Sequence, residues 1–151
     1  MVKKAGVEDL EIVTDLACQL WGTENRASIR EEISALFTRP DAAFFLDWEN
    51  GEAMGFAQCQ LRSDYVEGTK TSPVGYLEGV FVRSPFRRQG VAARLVGACE
   101  RWARENGCQE FASDCEVGNT ESLAFHLSMQ FREANRIICF VKPLEEDLDD
   151  A

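Results

Sequence analysis

The sequence predicts one α/β (α+β) domain, a mixed central β-sheet flanked by helices. Three observations carry this. Helix-like and strand-like segments follow one another along 151 residues with no internal repeat, low-complexity tract or Pro/Ser linker between them. Asn50-Gly51 separates two apolar runs in the way a hairpin turn does. An apolar strand over residues 76–82 then passes through a tight, basic, glycine-containing turn into a long amphipathic helix.

In chain order, residues 7–21 carry apolar side chains at 7, 10, 12, 13, 16, 17, 20 and 21, one face of a helix. Residues 1–6 offer little support for a strand ahead of it. A second helix is expected over 28–37, with Ser28 as N-cap and Glu31 completing a capping box. Pro40 blocks its continuation. Residues 43–49 and 53–62 read as the hairpin strands, and 63–75 as a polar loop. Helix 90–106 has apolar positions at 91, 92, 95, 96, 99, 102 and 103, with Gly107 at its end. A short strand over 110–114 and a helix over 120–129 follow. Residues 131–134 and 136–142 are expected to pair as terminal strands.

Composition limits the function. With 45% hydrophobic and 28% charged residues the chain falls in the ordinary globular range, large enough for a core of its own. No apolar run of about 18 residues exists to span a membrane. The first nine residues, with Lys3 and Lys4, have no apolar stretch behind them and do not read as a secretory signal. Six cysteines form no Cys-x-x-Cys pair, and the lone His126 is not spaced with them as a zinc site requires. Free thiols in a reducing cytoplasm, and no metal, are expected. A net charge of −10 argues against nucleic acid. About half of it sits in an acidic tail over 145–151, which leaves residues 1–144 as the domain. The remaining acidic bias is compatible with a cationic substrate.

The turn over residues 83–92 is the feature that points to chemistry. It leaves the first backbone N–H groups of the following helix without intrahelical partners and aims them, with the positive end of the helix dipole, at one point. Such a device holds a phosphate or diphosphate without a metal. Arg87-x-x-Gly90-x-Ala92 also matches the Arg/Gln-x-x-Gly-x-Gly/Ala signature of the GNAT superfamily of N-acetyltransferases. Downstream, Asn119-x-x-Ser122, Phe125-His126 and Gln130-Phe131 resemble a second motif of that superfamily. The resemblance covers roughly residues 43–142 and implies the GNAT fold, acetyl-CoA as cosubstrate and no metal. Arg62-Ser63-Asp64-Tyr65-Val66-Glu67-Gly68, Leu77-Glu78-Gly79-Val80-Phe81-Val82, Ala112-Ser113-Asp114 and Gln19-Leu20-Trp21 resemble the aminoglycoside 6'-N-acetyltransferases, a resistance group within it. That resemblance implies transfer of acetyl to a primary amine of an aminoglycoside, and a homodimer.

Acyl transfer from a thioester needs a neutral amine and a placed carbonyl, so a carboxylate must attract the ammonium and take its proton. Glu78 on the cofactor strand and Asp114 at the end of the neighbouring strand face one cleft if those strands splay there. Trp21, which the resemblance places beside the drug, and Tyr65 are expected as walls for the substrate, and the resemblance implies Glu24 as a further acidic contact. By resemblance, backbone groups of Val80, Phe81 and Val82 receive the pantetheine arm, and Asn119 hydrogen-bonds it. Arg87, Arg88, Gln89, Gly90, Val91, Ala92 and Ala93 surround the diphosphate. His126 stands where many members carry the tyrosine that protonates the leaving thiolate; it serves as that acid or only hydrogen-bonds the sulfur. Gln130 replaces the usual glycine before Phe131, and Asn135 stands where the resemblance implies an acidic drug contact. The competing readings are an acetyltransferase for another amine (a polyamine, a cell-wall amino sugar, a protein N-terminus), a non-catalytic acyl-CoA-binding module, and a structural protein.

Overall fold

The sheet has five strands in spatial order β1-β2-β3-β4-β5: β1 (Val2–Lys4), β2 (Ala42–Glu49), β3 (Glu52–Arg62), β4 (Val74–Val82) and β5 (Phe111–Ser113). The first four are antiparallel neighbours, and β5 joins β4 in parallel, so the sheet is mixed as the sequence predicts. The computed structural model describes residues 1–22 and 24–146; the acidic tail lies outside the described residues from 147 onward.

Local chemistry explains most elements. Asn50 (φ 50°) and Gly51 (φ 77°) both adopt the left-handed conformation, giving a two-residue hairpin whose twist suits its strands. The weak alternation of the hairpin strands has a simple cause: both faces of the sheet are covered. Phe44, Leu46 and Phe56 pack with Val13, Leu16 and Ile33 of helices α1 (Leu10–Trp21) and α2 (Arg26–Phe37). Phe45, Met54 and Cys59 pack on the opposite face with Leu95, Cys99 and Trp102 of α3 (Val91–Glu105). The last helix, α4 (Thr120–Ser128), follows β5. No helix among the described residues is long and apolar enough to cross a membrane.

A strand does form at residues 2–4, where the residue pattern gave little support for one, because Lys3 and its neighbours pair with β2 through the backbone, which needs no apolar pattern. Three expectations are corrected. α2 starts earlier than Ser28: the Asn25 carboxamide oxygen accepts the Ser28 N–H at 3.1 Å, so Asn25 is the cap and Ser28 lies in the first turn. β4 starts at Val74, two residues before the predicted boundary. The terminal strands over 131–134 and 136–142 are not formed. Phe131 stacks on Phe111 with ring centroids 6.0 Å apart, and beyond it the chain runs as an exposed arm. Cys139 is therefore exposed rather than in a strand, while Cys59, Cys99 and Cys108 are buried. The adjoining Cys59 thiol, together with burial, pushes the Cys99 thiol well above its ordinary range.

Candidate active site

The site forms where β4 and β5 part. Their register runs Gly75↔Phe111, Tyr76↔Ala112, Leu77↔Ser113 and stops, while β4 continues to Val82. The far half of β4 thus loses its neighbour on one edge. On the other edge a bulge falls at this same point: Cys59 pairs with Leu77 and Gln58 with Gly79, so Glu78 is the extra residue. A bulge turns a side chain out of the regular pleat. It does so here with one of the two predicted carboxylates.

Which backbone groups face the opening follows from the register. Arg83 N–H reaches Met54 O at 2.8 Å, which makes 83/54 a hydrogen-bonded pair and, by alternation, 81/56 another. Phe81 spends its backbone groups on β3. Val80 and Val82 direct theirs to the open edge, consistent with the Arg87 Nε contact to Val82 O at 3.2 Å.

The turn follows β4 directly. Ser84–Phe86 makes one 3-10 turn, then Arg88 (φ 64°) and Gly90 (φ 77°) take the left-handed conformation. A glycine adopts it freely; Arg88 does so against its preference. The α3 ladder opens with Arg94 N–H on Gly90 O at 3.1 Å, so the amides of Val91, Ala92 and Ala93 precede it at the helix mouth. Arg87 folds back over β4, its guanidinium 5.9 Å from the Phe81 ring centre; Arg87, Arg88 and Gln89 are all exposed.

The two predicted carboxylates are joined by a chain of contacts that the sequence did not reveal. Arg62 holds Glu78 in a fork, Nη2 reaching Oε1 and Oε2 at 2.8 Å each and Nε reaching Oε1 at 3.1 Å. The same guanidinium lies over the Tyr76 ring, 3.4 Å from its centre. The Tyr76 hydroxyl donates to the Asp114 carboxylate. Burial, reinforced by that carboxylate, pushes the Tyr76 phenol above its ordinary range, so it stays a donor. Glu78 is half-buried and Asp114 exposed.

Trp21 stands beside this pair. A Cβ on Gly79 would lie 2.9 Å from Trp21 Cζ2, so the indole packs on bare β4 backbone one residue from Glu78 while remaining 45% exposed. Glu24 is exposed and has no described contact in the site. Tyr65 projects from the loop after β3, 74% exposed, its hydroxyl accepting the Gly68 N–H at 3.4 Å. Asn135, on the arm, donates to Glu67 of that loop at 2.9 Å. A cleft of about 500 Å³ runs between this loop, β5, α4 and the arm, with Asp114, His126 and Asn135 in its wall.

Asn119 caps α4, its side-chain oxygen accepting the Ser122 N–H at 3.0 Å, and its amide NH₂ has no described partner. His126 has both nitrogens engaged, Nδ1 with Ser122 O at 2.7 Å and Nε2 with Ser113 Oγ at 2.8 Å. Ser113 Oγ in turn lies 3.2 Å from Leu77 O. The imidazole thus braces the last β4–β5 register pair. Arg62 and Tyr76 are the residues that sequence reasoning missed. The only hint was the position of Arg62 at the head of a quoted motif.

The sequence matches the Acetyltransferase (GNAT) family over residues 10–131. It is 39% identical over 148 residues to the "Aminoglycoside N(6')-acetyltransferase type 1" of Klebsiella aerogenes, covering 95% of this chain and 97% of that one. Among solved structures it is similar to AAC(6')-Iy in complex with the bisubstrate analog CoA-S-monomethyl-acetylneamine (TM-score 0.91, 35% identity, 95% and 98% of the two chains). It is equally similar to AAC(6')-IG from Acinetobacter haemolyticus (TM-score 0.91, 35% identity, 96% and 99%).

Proposed function

Because this chain belongs to the GNAT acetyltransferase family, we propose that it is an acetyl-CoA-dependent aminoglycoside 6'-N-acetyltransferase, acting by direct transfer within a ternary complex and conferring resistance. The observation that carries the reading is the fork after Leu77 and Ser113, which has a phosphate-type turn at one end and two carboxylates at the other. The named activities of relatives such as the Klebsiella aerogenes protein supply the substrate class.

The described residues fit the acyl carrier. Acetyl-CoA would supply an acetyl group activated as a thioester. Val80 and Val82 offer backbone groups on the open edge of β4 to the pantetheine, and the amides of Val91, Ala92 and Ala93 converge on the diphosphate. Arg88 and Gln89 add exposed polar side chains beside them.

Asp114 and Glu78 attract the drug's ammonium groups. Asp114, exposed and tied only to the Tyr76 hydroxyl among the described contacts, takes the amine's proton directly or through water. The freed lone pair attacks the acyl carbonyl and the C–N bond forms; as the C–S bond breaks, the sulfur leaves with the electron pair, and the second N–H proton passes through water to that sulfur, giving the neutral amide and the free thiol. His126, braced between Ser122 and Ser113, holds the fork at the width this geometry needs. Trp21 and Tyr65 wall the sugar, with Asn135 and Glu24 at the rim.

The protein is read as a cytoplasmic homodimer: three buried free thiols support a reducing compartment, and the apolar exposed arm supports a second copy. The activity is tested by free-thiol release from acetyl-CoA, with kanamycin compared against its 6'-deamino analogue. Turnover of kanamycin alone is expected. Equal rates on both would exclude the 6' assignment, and no thiol release with any amine would favour a non-catalytic module.

A further inference from the structure

Among the described residues Asp47 is the fully buried carboxylate, and nothing in the proposed transfer chemistry uses it. It lies on β2 at a register shift between Asp47 and Trp48. Its Oδ1 accepts the Met1 ammonium at 3.0 Å, and its Oδ2 accepts Arg94 Nε at 2.9 Å. Arg94 is in the first turn of α3. Its Nη1 donates to the carbonyl of Gln89 at 3.0 Å, and the same nitrogen would lie 3.3 Å from a Cβ on Gly90. One guanidinium therefore bridges a buried anion in the sheet and the carbonyl set between the two left-handed residues, Arg88 and Gly90.

We propose that Arg94, anchored by Asp47, is a positioning residue that holds the diphosphate turn in its binding conformation before the ligand arrives. This rests on the reading of the turn as the acetyl-CoA site. Arg88 sits at φ 64°, a conformation a side-chain-bearing residue leaves readily unless its surroundings fix it. The clamp on Gln89 fixes it from the next peptide. Asp47 in turn fixes the clamp, because a guanidinium pinned at Nε keeps little of its rotamer freedom. Without the bridge the turn's amides would diverge, and the ligand would have to order them on binding. That cost falls on affinity and leaves the distant acyl transfer step untouched.

The experiment uses the full chain. Acetyl-CoA affinity is measured by calorimetry, and initial rates are measured with an aminoglycoside acceptor, for wild type, Arg94→Gln, Arg94→Lys and Asp47→Asn; thermal midpoints are recorded alongside. Arg94→Gln is expected to raise the Kd for acetyl-CoA about tenfold, with kcat and the KM for the drug within twofold of wild type. Arg94→Lys should recover only a fraction of this, since one ammonium cannot reach both Asp47 and the Gln89 carbonyl. Combining Asp47→Asn with Arg94→Gln should add nothing to the Kd of Arg94→Gln alone.

A truncated donor, S-acetylpantetheine, lacks the diphosphate and should show the same KM with wild type and Arg94→Gln. Three outcomes would overturn the proposal: a variant that loses thermal stability but binds acetyl-CoA as tightly as wild type, full rescue by lysine, or an equal loss with the truncated donor. A wild-type chain that fails to bind acetyl-CoA at all would instead overturn the site assignment on which this rests.

Discussion

Glu78 and Asp114 are equivalent in the sequence and unequal in the structure. Glu78 is forked by Arg62, while the described contact on Asp114 is the neutral hydroxyl of Tyr76. Arg62 occupies both carboxylate oxygens of Glu78, whereas Asp114 Oδ1 has no described contact and is the oxygen open to an amine, so Asp114→Asn should lower kcat/KM by about 10²-fold and Glu78→Gln by about tenfold. Acetyl-CoA titrations should be unchanged in both. The larger loss falling on Glu78 would reverse the assignment. Arg62 itself is a cation inside the site proposed to take a cationic substrate. Removing it in Arg62→Gln frees Glu78, and the KM for an aminoglycoside should fall two- to fivefold, roughly the worth of a part-exposed pair. A rise in KM would mean that Arg62 contacts the drug. Both carboxylates could be named from the sequence because Glu78 falls near the start of one strand-like run and Asp114 ends the next. Arg62 could not, because its pairing with Glu78 depends on a cross-strand register set by a bulge at residue 78, and no local pattern announces a bulge.

At the scale of elements, the hairpin, α3 and the turn before it were legible because their signals are local: Asn-Gly, a 3.6-residue period, and glycine where φ is positive. The loop after β3 was legible only as polar. Its order comes from Glu110, forty positions away in the chain, whose carboxylate accepts the N–H groups of Lys70 and Thr71 at 2.8 Å each and the Thr71 hydroxyl. The Thr71 hydroxyl first, then the Lys70 amide, hold the Glu110 carboxyl below the ordinary carboxylate range. A folded value below the unfolded one contributes stability that is fully present above the unfolded pKa and is lost as pH falls through the folded one. The thermal-midpoint difference between wild type and Glu110→Gln should therefore be constant above about pH 5 and shrink below about pH 4. The loop carries Tyr65 and Glu67, so the variant should also raise the drug KM with the acetyl-CoA KM unchanged. A midpoint difference that does not vary with pH would detach Glu110 from the loop's order.

For the whole molecule, the sequence's terminal strands failed for a reason that bears on assembly. Ile137, Ile138, Phe140 and Val141 have the apolar, β-branched and aromatic character of a strand, yet they are 61–94% exposed. A strand needs a partner with a free edge, and the arm leaves β5 after Phe131 instead of returning along it. Among the described residues β5 is three residues long with β4 as its one neighbour in the sheet, which leaves its outer edge unpaired beside the exposed apolar side chains of Ile137, Ile138, Phe140 and Val141. Two copies exchanging arms would cover both features at once, in the closed two-fold manner of most homodimers, and would bury apolar side chains that a monomer leaves in water. The arm carries Asn135, which hydrogen-bonds Glu67 of the loop that holds Tyr65, so a change in the arm would reach that loop. Light scattering on the intact chain is expected to give twice the monomer mass of 17.0 kDa. Replacing Ile138 and Phe140 with Ser is expected to give monomers with weakened drug binding and unaltered acetyl-CoA binding, since the cleft beside the arm includes no residue of the turn. An intact chain that runs as a monomer at micromolar concentration with full activity would show that the arm serves neither assembly nor the site.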